Sequence, residues 1–143
     1  MALLPEPGNK IRYITVADFF SQNALLPIHE AAMAMLKIIK QDATYTSSEA
    51  FEYLRAKSES SIGEFHCHDL KNFTDYLPVS LQMIIVREFF GSHIAVLWKT
   101  IIGQPIRTGP KHGCRILEFT RGQPMGLLSS WAIASLCHHY LVA

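Results

Sequence analysis

The sequence predicts an α+β fold, helix-rich with few short strands, and three observations carry that expectation. Apolar residues recur at three- and four-residue steps over long segments, whereas apolar–polar alternation is confined to short runs. Proline and glycine gather between these segments, at 5–8, 103–113 and 122–126. A 143-residue chain with 49% hydrophobic and 17% charged residues can also bury a substantial core.

Residues 2–8 hold Pro5, Pro7 and Gly8 and read as an irregular lead-in. Residues 10–16 alternate and read as a short strand. From Ser21 to Lys40, Leu25, Ile28, Ala32, Met35, Leu36 and Ile39 make a helical stripe, with Pro27 marking a boundary or kink near its start. A polar stretch leads to a second helix over 49–57, for which Ser47 or Ser48 is the expected cap, followed by a Ser-rich loop to Gly63. The change of character near Gly63 is the one candidate subdomain boundary.

Residues 64–69 alternate again and read as a strand ending at Asp69. Pro78 suits the first turn of a helix running to Gly91, its stripe made by Leu81, Ile84, Ile85 and Phe89. A further helix is expected over 93–102, a loop or hairpin connection over 104–113 and a strand over 115–119. The last element, from about Leu127, is a helix with small residues at Ser130, Ala132, Ala134 and Ser135. It is short for a membrane span and carries His138 and His139, so a buried core helix is expected.

Thirteen basic and twelve acidic residues give a net charge of +1, which excludes a global field attracting polyanions; any such contact must be local. Cys67, Cys114 and Cys137 form no CxxC pair, which favours free thiols in a reducing compartment. His66, Cys67, His68, Cys137, His138 and His139 also lack the paired spacings of a structural zinc site. Pro5, Glu6 and Pro7 break any signal-peptide pattern, and Glu6 and Asp18 are foreign to an organelle transit peptide.

Three groups of residues carry possible chemistry. Asp69 and Asp75 frame the segment Asp69-Leu70-Lys71-Asn72-Phe73-Thr74-Asp75, and two nearby carboxylates suit divalent cations in nucleotidyl transfer. The simpler alternative is that Thr74 or Asp75 caps the next helix while Asp69 faces water. Arg121-Gly122-Gln123-Pro124-Met125-Gly126, followed by Ser129-Ser130-Trp131, pairs a sharply bending turn with a helix start whose amides suit phosphate or ribose; an ordinary turn explains it equally. Lys10 and Arg12 suit a triphosphate, or are plain surface charges.

Taken in order, these groups resemble the RNA-dependent RNA polymerase of mitoviruses, small capsidless RNA replicons of mitochondria. Lys10-Ile11-Arg12, with Asp18 to Asn23 and Pro27-Ile28-His29-Glu30, is similar to the family's fingers motif, and Gln41-Asp42 to the pair closing its next helix. Asp69 to Pro78 resembles palm motif A, and Gly122 to Trp131 with His138-His139 resembles motif B. Tyr76 stands where the family tends to have a basic residue.

The resemblance implies a partial right-hand polymerase, with a fingers-like segment at 1–62 and an incomplete palm at 63–143. It implies Asp69 as a ligand of Mg2+ or Mn2+ and Asp75 near the incoming ribose. Lys10 and Arg12 would face the triphosphate, and Gly122, Gln123, Gly126, Ser129 and Ser130 would meet template and nucleotide. RNA and nucleoside triphosphates are the implied partners, and the mitochondrion the implied location, with the protein encoded there. No Gly-Asp-Asp triplet occurs in the sequence, so a truncated replicase without catalysis of its own is expected. The alternatives are half of a split polymerase, completed by a second polypeptide bringing motif C, and a non-catalytic RNA-binding module.

Overall fold

The computed structural model describes residues 1–8, 10–60, 66–109 and 113–143. Strands β1 (Ala2–Glu6) and β2 (Lys10–Ile14) form an antiparallel hairpin in which Leu3 faces Tyr13 and Pro5 faces Ile11. The expected irregular lead-in is therefore a strand. A two-stranded ribbon leaves its outer backbone groups unpaired, so Pro5 is tolerated although it donates no hydrogen bond.

Helix α1 runs Phe19–Leu36 and is capped by Asp18, whose carboxylate accepts the Ser21 amide at 2.9 Å. The hydroxyl and amide of Ser21 hold the Asp18 carboxyl below its ordinary pKa. Pro27 neither bounds nor opens the helix; it lies inside it. Pro27 and Asn23, the residue whose carbonyl loses its partner there, are both exposed, so water can meet that carbonyl.

Helix α2 spans Ser47–Ser60, longer at both ends than the sequence suggests, so Ser47 and Ser48 lie inside its first turn and do not cap it. Only Ala50 on it is buried. Of the expected strand at 64–69, residues 64 and 65 fall outside the described residues, as does Gly63. His66 to Asp69 are irregular and exposed, so Asp69 does not end a strand. Alternation alone cannot make a strand without a partner to pair its backbone.

Helix α3 (Phe73–Tyr76) is a single turn entered through Asn72 in the left-handed conformation, which asparagine tolerates. Helices α4 (Val79–Phe90) and α5 (Ser92–Ile102) follow the expected pattern, with Pro78 and Gly91 at the ends of α4. Two short strands, β3 (Ile106–Arg107) and β4 (Ile116–Leu117), pair antiparallel beyond α5.

Helix α6 (Ser130–Val142) organises the core: Ala132, Ile133, Ala134, Leu136 and Cys137 are buried in one apolar cluster with Leu25, Ile28, Val86 and Trp98. Small side chains at Ala132, Ala134 and Ser135 let α1, α3 and α4 all pack on it. The buried-helix expectation holds, although α6 starts at Ser130 and not near Leu127. Among the described residues no helix is long and apolar enough to cross a membrane.

The far end of α6 is tied to the segment after α1 by His139 Nε2, 2.8 Å from Asp42 Oδ2. Burial pulls the Asp42 carboxyl upward, but hydrogen bonds from Thr44 and His139 outweigh it and hold the pKa below its ordinary value. A depressed carboxyl contributes stability above its unfolded-state pKa and loses it as pH falls through the folded value. His139→Ala is therefore expected to cost about 2 kcal/mol at neutral pH, and progressively less in acid, in urea unfolding followed across pH.

Candidate functional site

The two motif-like segments meet through their backbones. The Gly122 amide donates to the Asp75 carbonyl at 3.0 Å and the Gln123 amide to the Thr74 carbonyl at 3.0 Å. One residue earlier, the Arg121 carbonyl accepts the Val79 amide at 2.9 Å, so the start of α4 is fixed to the same strip. A Cβ at Gly122 would stand 2.2 Å from the Thr74 oxygen and 2.4 Å from Asp75 backbone atoms. Glycine is required there by close approach of two backbones.

Gly126 serves the same purpose on the other side of the turn. Its φ is +106°, and a Cβ would stand 2.3 Å from the Thr15 carbonyl oxygen. The Thr15 amide donates to the Met125 carbonyl at 2.8 Å, which docks the end of the hairpin on this turn. From α1, Gln22 grips the turn with both ends of its amide: Nε2 donates to the Gly126 carbonyl and Oε1 accepts the Leu128 amide, each at 2.9 Å.

Ser129, in the left-handed conformation, starts α6. Its hydroxyl accepts the indole N–H of buried Trp98 at 2.9 Å, and its amide donates to His29 Nδ1 at 3.3 Å. Gln123 is fully buried and donates to the Gln82 side-chain oxygen and, at 3.4 Å, to the Ser130 carbonyl. Gln82 in turn donates to the Leu77 carbonyl at 2.9 Å. This amide chain joins the end of α3, α4, the turn and α6.

The site residues read from the sequence therefore separate into two groups. Asp75, Gly122, Gln123, Gly126, Ser129 and Ser130 lie on one continuous junction, with Gln123, Ser129 and Ser130 buried. Asp69 is exposed on the irregular segment before α3. Positions 10 and 12 lie on β2 with register partners Glu6 and Leu4, on the hairpin whose end docks on the Met125–Gly126 turn. Burial pushes the Asp75 carboxyl above its ordinary pKa.

The mitovirus RNA-dependent RNA polymerase family matches residues 1–143. The chain belongs to that family. It is 28% identical over 142 residues to the RNA-directed RNA polymerase of Cryphonectria parasitica mitovirus 1 (strain American chestnut tree/New Jersey/NB631), with 99% of the chain and 17% of that protein aligned. The chain thus spans 17% of the length of this curated relative. No solved structure matches it.

Polymerases of this kind imply divalent cations, and the donor set present does not make a site for one. Asp69 and Asp75 are two carboxylates, and among the described residues no three His, Cys, Asp or Glu side chains gather to hold a metal.

Other segments that resemble the mitovirus motifs have structural employment. Gln22 and His29 hold the turn at 122–129, and Asp42 pairs with His139. Sequence reasoning missed these pairings and the Gln82–Gln123 chain, because separations of 40 to over 100 residues leave no periodic signal. A polar residue on the apolar face of α4, at Gln82, is the one local hint.

Two substitutions test the junction. Gly122→Ala is expected to cost about 3 kcal/mol because neither facing backbone can retreat, and Gln82→Leu about 2 kcal/mol because it strips partners from buried groups. Chemical denaturation checks both; losses below about 0.5 kcal/mol would be those of ordinary surface positions. For Asp75 the sign is opposite to that for Asp42. A raised carboxyl makes ionisation oppose folding, so stability falls as pH rises from the ordinary value of 3.8 towards the folded one. Asp75→Asn should accordingly gain on the parent protein as pH is raised, read as the difference in Tm between the two at each pH.

Proposed function

We propose that these 143 residues are the fingers-to-palm part of a mitovirus-type RNA polymerase, serving to bind RNA and nucleotide and not to catalyse extension alone. The observation that carries this reading is the backbone strip joining 74–75 to 121–123, since it unites the two segments that resemble motifs A and B. In a right-hand polymerase, 1–62 would be the fingers-like segment and 63–143 part of the palm. Asp69 would contribute one metal-facing carboxylate, and Asp75 would lie beside the ribose.

The non-catalytic part of the reading rests on chemistry. In-line phosphoryl transfer by two cations needs carboxylates on both sides of the metal pair, and Asp69 with Asp75 supply at most one side. The sequence contains no Gly-Asp-Asp triplet to supply the other. The setting that family membership favours is the mitochondrion.

RNA binding should be weak and salt-dependent, because the net charge is only +1 and the cations must act locally. Lys10→Ala and Arg12→Ala should each lower affinity for single-stranded RNA and reduce the slope of log K against log salt by about 0.7. No primer or template extension is expected from the 143 residues with Mg2+ or Mn2+. Extension that disappears with Asp69→Ala would overturn the non-catalytic reading, and RNA binding insensitive to both basic substitutions would overturn their assignment.

A further inference from the structure

Behind the junction lies a cleft that borrows Pro78, Arg121 and Gly122 from the motif-like segments and adds Lys99 from α5. It has a volume of 370 Å³ and is walled by the first turn of α4, the end of α5 and the strip 119–122. Two cations line it, Lys99 and Arg121, together with the hydroxyl-bearing Ser80 and Thr120 and the apolar Ile102 and Phe119. Among the described residues no carboxylate lines it. Neither cation has an acidic partner among the described residues, whose other two basic–acidic pairs, Arg55–Glu59 and Arg87–Glu88, lie on α2 and α4 outside this wall.

The physical chemistry of that lining is specific. Two positive side chains on the wall of one depression favour an anion within it. The guanidinium offers forked donors and the ammonium a point charge, the combination suited to phosphate oxygens. At Val79 the amide is committed to the Arg121 carbonyl, which fixes that residue's backbone against the helix start and leaves its side chain at the cleft. Half-buried Phe119 and buried Ile102 add an apolar wall against which a sugar or base can lie. The volume exceeds what a bare phosphate needs and falls within the range of small-ligand pockets.

Another cleft of similar size, between the hairpin end and α5, differs in its charges. Its lining includes the Asp18 carboxylate, which Ser21 engages, together with Arg107 and the α-amino group of Met1, so its cations share the cleft with an anion.

We infer that the Lys99–Arg121 cleft is a phosphate-ester site, a contact for the phosphodiester of RNA or the phosphates of a nucleotide, separate from Lys10 and Arg12. It shares the Gly122 backbone with the junction, so a phosphate held there lies directly against the strip that anchors Asp75. The site stands on its own geometry and does not require the polymerase reading to be right.

The test uses the full 143-residue chain and three probes: a short oligouridylate, a nucleoside triphosphate and inorganic phosphate. Binding is followed by NMR shifts of the Ser80, Thr120 and Arg121 amides and by fluorescence anisotropy of the labelled oligonucleotide. Lys99→Gln and Arg121→Gln are compared with Arg55→Gln, an α2 surface control. The first two are expected to weaken binding several-fold each and to lower the salt slope for RNA by about 0.7, with the control unchanged. Loss for oligouridylate alone assigns the site to the RNA backbone, and loss for the triphosphate alone assigns it to the nucleotide.

The outcomes separate this inference from the functional reading. RNA binding that depends on Arg12 but not on Lys99 or Arg121, with no amide shifts at the cleft, overturns the site and leaves the reading intact. Phosphate binding at the cleft without any RNA affinity does the reverse. Absence of shifts with all three probes overturns the site outright.

Discussion

Two backbone segments approach at Gly122 more closely than any side chain would permit, and the rest of the structure is arranged around keeping them there. The approach needs glycine on one strand and a tight single turn, α3, on the other. It also needs α6 beneath, because Gln123 and Ser130 pin the turn to the start of that helix. Helix α6 can lie there because its small residues admit three other helices, of which α1 returns fixing contacts through Gln22 and His29 and α4 through Gln82, while Trp98 adds one from α5. Removing Gln82 or Trp98 leaves a buried polar group unpaired, which makes the junction a cooperative unit more than a flexible loop.

This rigidity bears on function. A site that must place a nucleotide against a carboxylate benefits from supports held by packing and second hydrogen bonds, and Asp75 has such a support in its own backbone. Its raised pKa is the accompanying cost of partial burial. The electrostatics of the chain is otherwise local: a net charge of +1 hides a cleft lined by Lys99 and Arg121 and, among the described residues, by no carboxylate. Polyanion affinity in such a protein depends on where the cations sit and little on how many there are.

Much of the fold was legible in the sequence because it follows from local rules. Helices α4 and α5 obey the 3.6-residue period between Pro78, Gly91 and Gly103, and the small residues of α6 announce a helix buried on several sides. What was illegible depended on partners. Strand β1 hides behind Pro5 and Pro7 and exists because β2 pairs with it, while the alternating run ending at Asp69 has the pattern of a strand over its described residues but not the structure of one. The glycines of the motif-like turn read as a sharp bend beside a ligand, yet both act by omitting a Cβ where two backbones meet. Arg121 and Lys99, far apart in sequence, gave no sign of sharing a cleft.

The central claim is that the turn at 121–129 and helix α6 form one cooperative unit, with the Asp75 backbone locked into it. Native-state hydrogen exchange of the Gly122 and Gln123 amides measures this directly, since both donate to carbonyls of α3. The account predicts that they exchange with the same opening free energy as core amides of α6 such as Ile133, through global unfolding. Exchange of Gly122 and Gln123 at a small local opening energy, while Ile133 stays protected, would contradict it.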